Sequence, residues 1–219
     1  MNIFDIIGPV MIGPSSSHTA GAVRIGLVAG RILGERAEIA DIGFSGSFAQ
    51  TYRGHGTDKA VIAGILGISQ DDERVRNSLL LALESRLEYH FHEIRLSHAH
   101  PNTALVHLIG ESGAECTVQG SSIGGGNILI THINGMNTEF TGQNDTLIIP
   151  HNDNPGAITA VTSLVANTGI NIGNFRLHRP KKGFTAVMTI EVDGNLTPEI
   201  IDEIRSLQDV ISVLFLPKN

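Results

Sequence analysis

The stretch IIPHNDNPGAITAVTSLVANTGINI, residues 148–172, decides the fold of the carboxy-terminal third. It begins inside a short apolar strand, Thr146 to Pro150, and runs into the polar turn HNDNPG, where Pro155 is placed to open a helix. Ala157 to Ala166 supplies that helix: Ile158, Val161, Leu164 and Val165 share one face, and Gly169 closes it. Beyond it lie two strands, Asn171 to Leu177 and Thr185 to Val192, joined by the basic turn RPKKG. Thr197 caps a second helix carrying Ile200, Ile201, Ile204 and Leu207, and Val210 to Leu216 forms the last strand. The order β-α-β-β-α-β is the ferredoxin-like split unit. A polar, glycine-containing junction, Gly142 to Asp145, sets the expected domains at 1–145 and 146–219.

This segment resembles the opening of an ACT domain, over roughly residues 147–218. The resemblance implies a free amino acid held between the strand-to-helix loop and the segment entering the second strand, across a dimer interface. Helix N-terminal N–H groups attract a carboxylate, and side-chain amides or carboxylates receive an ammonium. The matching positions are His151, Asp153, Asn154, Gly156 and Asn171. Read without the resemblance, Asn152 to Asn154 is equally a plain polar turn.

Upstream, Thr19 to Leu33 reads as a helix ended by Gly34, and Glu38 to Phe44 as a strand ended by SGSFAQ. Thr57 or Asp58 caps a helix through Leu66, and Gln70 to Leu87 is polar and helix-prone. Four strands follow, Phe91 to Leu96, Thr103 to Ile109, Ala114 to Gln119 and Asn127 to Ile133, with glycines at their turns. The whole is expected to be α+β.

Four segments dense in hydroxyl, imidazole and glycine punctuate this region: GPSSSHT (13–19), GHGTD (54–58), SHAHPNT (97–103) and QGSSIGGGN (119–127). In GPSSSHT, hydroxyls stand directly before an apolar helix, which suits a carboxylate or phosphate, and His18 can act as acid or base near neutral pH. The same residues also make a serine-rich N-cap with a surface histidine. His98 with His100, and His90 with His92, lie two apart and share a face if extended. With no Cys, Asp or Glu at suggestive spacing beside them, no metal site is assigned. Asn102 and Thr103 suit hydrogen bonds to a small polar substrate. The glycines 124–126 match neither GxGxxG nor GxxxxGK[ST], so no nucleotide site is expected.

Together, GPSSSHT, GHGTD, SHAHPNT and SSIGGGNI ahead of an ACT domain resemble the beta chain of the two-subunit bacterial L-serine dehydratase, over the whole chain. The first domain also resembles the allosteric-substrate-binding domain of some D-3-phosphoglycerate dehydrogenases. The resemblance implies a [4Fe–4S] cluster in a separate alpha chain, its open iron holding the serine hydroxyl as leaving group. A base removes the Cα proton, and loss of water gives aminoacrylate, which hydrolyses to pyruvate and ammonia. That places the chain in amino-acid catabolism and gluconeogenesis. His18, then His100, are the candidate catalytic groups, with Ser15, Ser16, Ser17, Thr19, His55, Asn102 and Thr103 facing substrate. The expected assembly is a homodimer or a heterotetramer with the alpha chain, inactive without it.

Composition narrows the field. A formal charge of −7 without a dense basic cluster argues against a nucleic-acid partner. No run of eighteen apolar residues could span a bilayer, and the opening MNIFDIIGPVMIGPSSSHT lacks a basic n-region, so neither membrane insertion nor a signal peptide is expected. A lone cysteine, Cys116, fits a reducing cytoplasm and cannot by itself ligate a cluster. Three alternatives stay open: a purely regulatory amino-acid sensor, the carboxy-terminal part of a phosphoglycerate-dehydrogenase-like enzyme, and a histidine-based metal-binding protein. Against the second stand the missing dinucleotide fingerprint, the start at Met1 and SHAHPNT.

Overall fold

Ser15 holds the incoming chain extended (φ −145°, ψ 126°) and accepts the His18 N–H on its hydroxyl, and Ser16–Ala20 then make one π-helical turn. Helix α1 (Gly21–Leu33) follows without a break and stops at Gly34, whose φ of 76° lets its N–H reach the Gly30 carbonyl. This is a computed structural model that describes residues 11–218; the reading of the opening residues, Met1 to Val10, lies outside them.

Strand β1 (Ala37–Gly46) leads into α2 (Ser47–His55) and α3 (Thr57–Ile65). A 3₁₀ turn, Glu73–Asn77, and the short α4 (Ser78–Glu84) precede β2 (Glu88–Glu93). β3 (Asn102–Gly110), β4 (Glu115–Gly124), β5 (Asn127–Ile133) and β6 (Met136–Phe140) complete a sheet of order β2-β1-β3-β4-β5-β6. β1 and β2 are parallel, whereas β1–β3, β3–β4 and β4–β5 are antiparallel.

Ala40, Ile42, Phe44, Val106, Leu108 and Val118 point to one face of that sheet and are buried. Residues one position over, among them Asp41 and His107, point to the other face. Removing Phe44 and Phe48 wholly from water contributes about 1.5–3 kcal/mol each. α1 and α3 cross at glycines: a Cβ at Gly64 would lie 2.0 Å from the Val23 carbonyl oxygen, and one at Gly26 2.2 Å from that of Val61. Only hydrogen at these two positions lets the backbones touch.

The chain divides into two compact units, the first ending at Gly135 and the second starting at Met136. In the second, β7 (Asp145–Asn152), α5 (Ala157–Asn167), β8 (Ile172–His178), β9 (Thr185–Val192), α6 (Pro198–Arg205) and β10 (Leu214–Leu216) form an antiparallel sheet of order β10-β7-β9-β8. Leu147, Ile149, Met188 and Ile190 from the strands meet Val161, Val165, Ile201 and Ile204 from the helices in one core. This is the ACT-like, ferredoxin-type unit expected from residues 148–172, and the chain as a whole is α+β.

Several elements depart from the sequence reading in extent. α2 was not expected: of its nine residues only Phe48 is buried, so it lacks an apolar stripe. β2 starts three residues earlier than expected and β4 runs on through Ser121 and Ser122. The last strand is interrupted: Val210 makes one bridge to His151, and the ladder resumes only at Leu214.

Candidate active site

Gly46 closes β1 with φ 60° and ψ −126°, and a Cβ there would lie 2.6 Å from the Pro101 carbonyl oxygen. The close approach is used: the Phe48 N–H donates to that same oxygen at 3.3 Å. The turn thus seats the start of α2 against the HPNT segment and delivers Ser47 to the SSSHT turn.

His18 sits between two hydroxyls. Its Nδ1 is 3.4 Å from Ser15 Oγ and its Nε2 is 3.3 Å from Ser47 Oγ. A hydroxyl can donate or accept, so either neutral tautomer is accommodated. The rings of His55 and Phe48 meet His18 edge-on, with centroids 4.7 Å and 5.2 Å away. Burial, and then the neighbouring His55, hold the His18 imidazolium below its usual range, so the ring is neutral at pH 7.

Beside it opens a cavity of about 290 Å³ bordered by Thr19, Arg53, His55, Lys59 and Arg76. Three cations and an imidazole give the cavity a lining suited to a small anion. Thr19 is 2% exposed, and its hydroxyl has no hydrogen-bond partner among the described residues. A buried hydroxyl without a partner costs about 1–3 kcal/mol, a deficit a bound polar ligand removes. Arg53, Lys59, Arg76 and Ser47 were not singled out in the sequence; only the packing of α2 and α3 on the SSSHT turn, and of the 3₁₀ turn Glu73–Asn77 on α3, gathers them.

The HPNT residues form a second cluster. The Thr103 hydroxyl donates to the His100 carbonyl at 2.6 Å and lies 2.7 Å from Ser121 Oγ. Its single proton is thereby taken, so Ser121 donates to Thr103. The Asn102 N–H donates to His100 Nδ1 at 3.1 Å, so Nδ1 is the acceptor, and the His100 side chain is exposed. Thr103 is completely buried and serves this internal network. Ser122, within the QGSSIGGGN motif, has a buried hydroxyl without a partner among the described residues, packed so tightly on α1 that a Cβ at Gly21 would lie 2.1 Å from it. Arg24 donates to the Gly126 carbonyl at 3.0 Å, fixing the glycine turn to α1. Ser16 and Ser17 lie half-buried in the π-helical turn.

In the second unit, the Gly183 N–H and the Arg179 guanidinium hold the Asp153 carboxyl below the usual carboxylate range, at 2.8 Å and 2.6 Å. Asn154 donates to Asp209 Oδ1 at 2.7 Å and Asn171 to Asp193 Oδ2 at 3.2 Å. Gly156, with φ 96°, leaves the start of α5 open. His151 is 1% exposed: Nδ1 lies 2.9 Å from the Asn152 carbonyl, and Nε2 has no partner among the described residues.

Cys116 does not fit a cluster ligand. Its thiol is buried in the core, 3.6 Å from the Ala29 carbonyl, and burial pushes its pKa up to about 11. One inert thiol cannot hold an iron–sulfur cluster. Among the described residues, no helix is long and apolar enough to cross a membrane.

Fold and site define a two-unit α+β protein in which a hydroxyl–imidazole cluster beside a cationic cavity is joined to an ACT-like unit. The family model described as "Serine dehydratase beta chain" matches residues 2–133, and that described as "AHAS small subunit-like ACT domain" matches residues 147–212. The chain belongs to the serine dehydratase beta-chain family. It is 44% identical over 212 residues to "Probable L-serine dehydratase, beta chain" of Bacillus subtilis, covering 97% of this chain and 96% of that one. It is 38% identical over 206 residues to "L-serine dehydratase, beta chain" of Peptoniphilus asaccharolyticus, covering 94% and 93%. Similarity to a D-3-phosphoglycerate dehydrogenase of Archaeoglobus fulgidus is lower, 28% over 119 residues, which is 53% of this chain and 22% of that enzyme.

Proposed function

We propose that this chain is the beta subunit of an L-serine dehydratase, which converts L-serine to pyruvate and ammonia in the cytoplasm. Its partner, the alpha chain, would carry the [4Fe–4S] cluster, and the two would assemble as a heterotetramer or around a homodimer of this chain. The observation that carries the reading is the neutral His18 between Ser15 and Ser47, its ring against His55 on the wall of a cationic cavity.

Elimination of water from serine begins with loss of the Cα proton, and a neutral imidazole is a competent acceptor. His18 takes that proton at Nε2, where the substrate displaces the 3.3 Å contact to Ser47; Ser15 holds the ring through Nδ1, Ser47 sets its approach, and Arg53, Lys59 and Arg76 attract the serine carboxylate. Thr19 donates to the same carboxylate and so satisfies its own hydroxyl. His100 and Asn102 would reach the substrate from the HPNT segment, which meets the start of α2 through the Phe48 N–H on the Pro101 carbonyl. In the ACT-like unit, a free amino acid such as serine would place its carboxylate at the open start of α5, near Gly156. His151, Asp153, Asn154 and Asn171 would surround it.

The test is anaerobic co-purification with an alpha chain, followed by serine-to-pyruvate turnover. Activity that needs both chains and collapses in His18→Ala supports the proposal. Turnover by this chain alone, or an unchanged kcat in the variant, overturns it; the latter leaves a purely regulatory subunit.

A further inference from the structure

The edge of the first sheet brings together groups far apart in the sequence. β2 pairs in parallel with β1 so that His90 stands beside Asp41, and His92 beside Gly43, which contributes no side chain. Residues two apart on a strand share a face, so both imidazoles flank the Asp41 carboxylate. Their rings stack, with centroids 5.6 Å apart and planes inclined by 22°. Asp41 Oδ1 lies 3.1 Å from His90 Nδ1 and 3.3 Å from His92 Nδ1, across 49 residues of chain in the first case.

The two imidazoles are not equivalent. His90 makes a hydrogen bond to the carboxylate. His92 Nδ1 is enclosed and makes no hydrogen bond among the described residues, although the same oxygen is 3.3 Å away. A shielded ring nitrogen beside a carboxylate, without a proton shared between them, is left wanting a cation. Metal bonds of about 2.0–2.1 Å in tetrahedral geometry separate ligand atoms by about 3.3–3.4 Å. The two measured separations from Asp41 are close to that edge length, and the three ligand atoms all lie within 4.8 Å of one another.

We propose that Asp41, His90 and His92 form a site for a borderline divalent metal ion of the Zn²⁺ type. Two imidazole nitrogens and one carboxylate oxygen suit such ions far better than Mg²⁺ or Ca²⁺, which require oxygen ligands. The fourth position is open to water. His107 faces Asp41 from β3, but its Nδ1 is bonded to Thr117 Oγ1 at 3.0 Å and its Nε2 points to Glu115 Oε2 at 4.0 Å, so it stays outside the ligand set. Both Nδ1 atoms turn inward, so binding needs only small ring rotations on a paired backbone.

The experiment uses the untagged full-length chain, titrated with Zn²⁺ by calorimetry and with Co²⁺ by visible absorption. One ion per chain, with the intense visible bands of four-coordinate Co²⁺, is expected. Asp41→Asn, His90→Gln and His92→Gln should each weaken that binding at least about tenfold, with far-ultraviolet circular dichroism unchanged. His107→Gln should leave it intact. Equal affinity in the wild type and all three ligand variants overturns the site, as does binding that only His107→Gln abolishes.

Discussion

Ser47 Oγ lies 3.3 Å from Nε2 of His18, a contact across 29 residues that seats the first residue of α2 on the SSSHT turn. Because Ser15 occupies the other ring nitrogen, loss of the Ser47 hydroxyl leaves the imidazole held from one side only. In the assembled enzyme, His18→Ala should lower kcat by about a hundredfold or more, the scale of general-base catalysis. Ser47→Ala should lower kcat by about tenfold with little change in KM, since in the proposed reaction it would orient the base without binding substrate. Steady-state kinetics on both variants checks this.

The acid limb of kcat/KM should fall below the ordinary imidazole value of about 6.5, because burial and then His55 depress the His18 pKa and a base must be neutral. His55→Asn removes the smaller of those two causes. The limb should then move upward but stay under 6.5. The same depression sets a stability trend. In the unfolded chain His18 takes up its proton near 6.5, and in the folded chain only at lower pH, so stability falls as pH drops through 6.5. His18→Gln should flatten that fall in urea melts taken between pH 7 and 5.

Lys59 and Arg76 border the cavity beside Thr19, and in the proposed reaction they would act only through the substrate carboxylate. Lys59→Met or Arg76→Met should therefore raise KM for serine about tenfold, equivalent to about 1.4 kcal/mol, with kcat preserved. A fall in kcat at saturating serine would instead place these cations in the reaction itself.

Gly64→Ala should destabilise the first unit by at least about 1–3 kcal/mol, because the new methyl would press on the Val23 carbonyl oxygen where α1 and α3 cross. Each kcal/mol corresponds to about 2–4 °C in Tm for a chain of this size. Gly67→Ala tests a different cost at a site with open space but a φ of 75°; it should lose only the backbone term, about 1 kcal/mol.

The ACT-like unit was legible because its signals are local. The apolar faces of α5 and α6 recur at helical spacing, and glycines and prolines stand at the turns. In the first unit, the ends of α1 and α3 could be read for the same reason. α2 could not, since a helix with one buried side chain has no stripe to detect. The site residues split in the same way. His18, Thr19 and His55 lie in motifs rich in hydroxyl and imidazole. Ser47 and Asp41 depend on pairings made across the sheet and across the helix–turn contact, which no spacing along the chain encodes. The SGS stretch at the end of β1 was the available hint for Ser47: a glycine there permits the positive φ that turns the chain into α2.

The buried Cys116 has a consequence for handling the protein. With a pKa near 11, about one thiol in ten thousand is ionised at pH 7, and oxidants and alkylating reagents attack the thiolate. Its rate of labelling should therefore report global opening of the first unit, an intrinsic clock for unfolding. Prolonged exposure of the folded chain to air should leave a full equivalent of titratable sulfhydryl. Were the partner to carry the cluster proposed for it, oxygen damage would be reversed by adding fresh partner, with this chain reused.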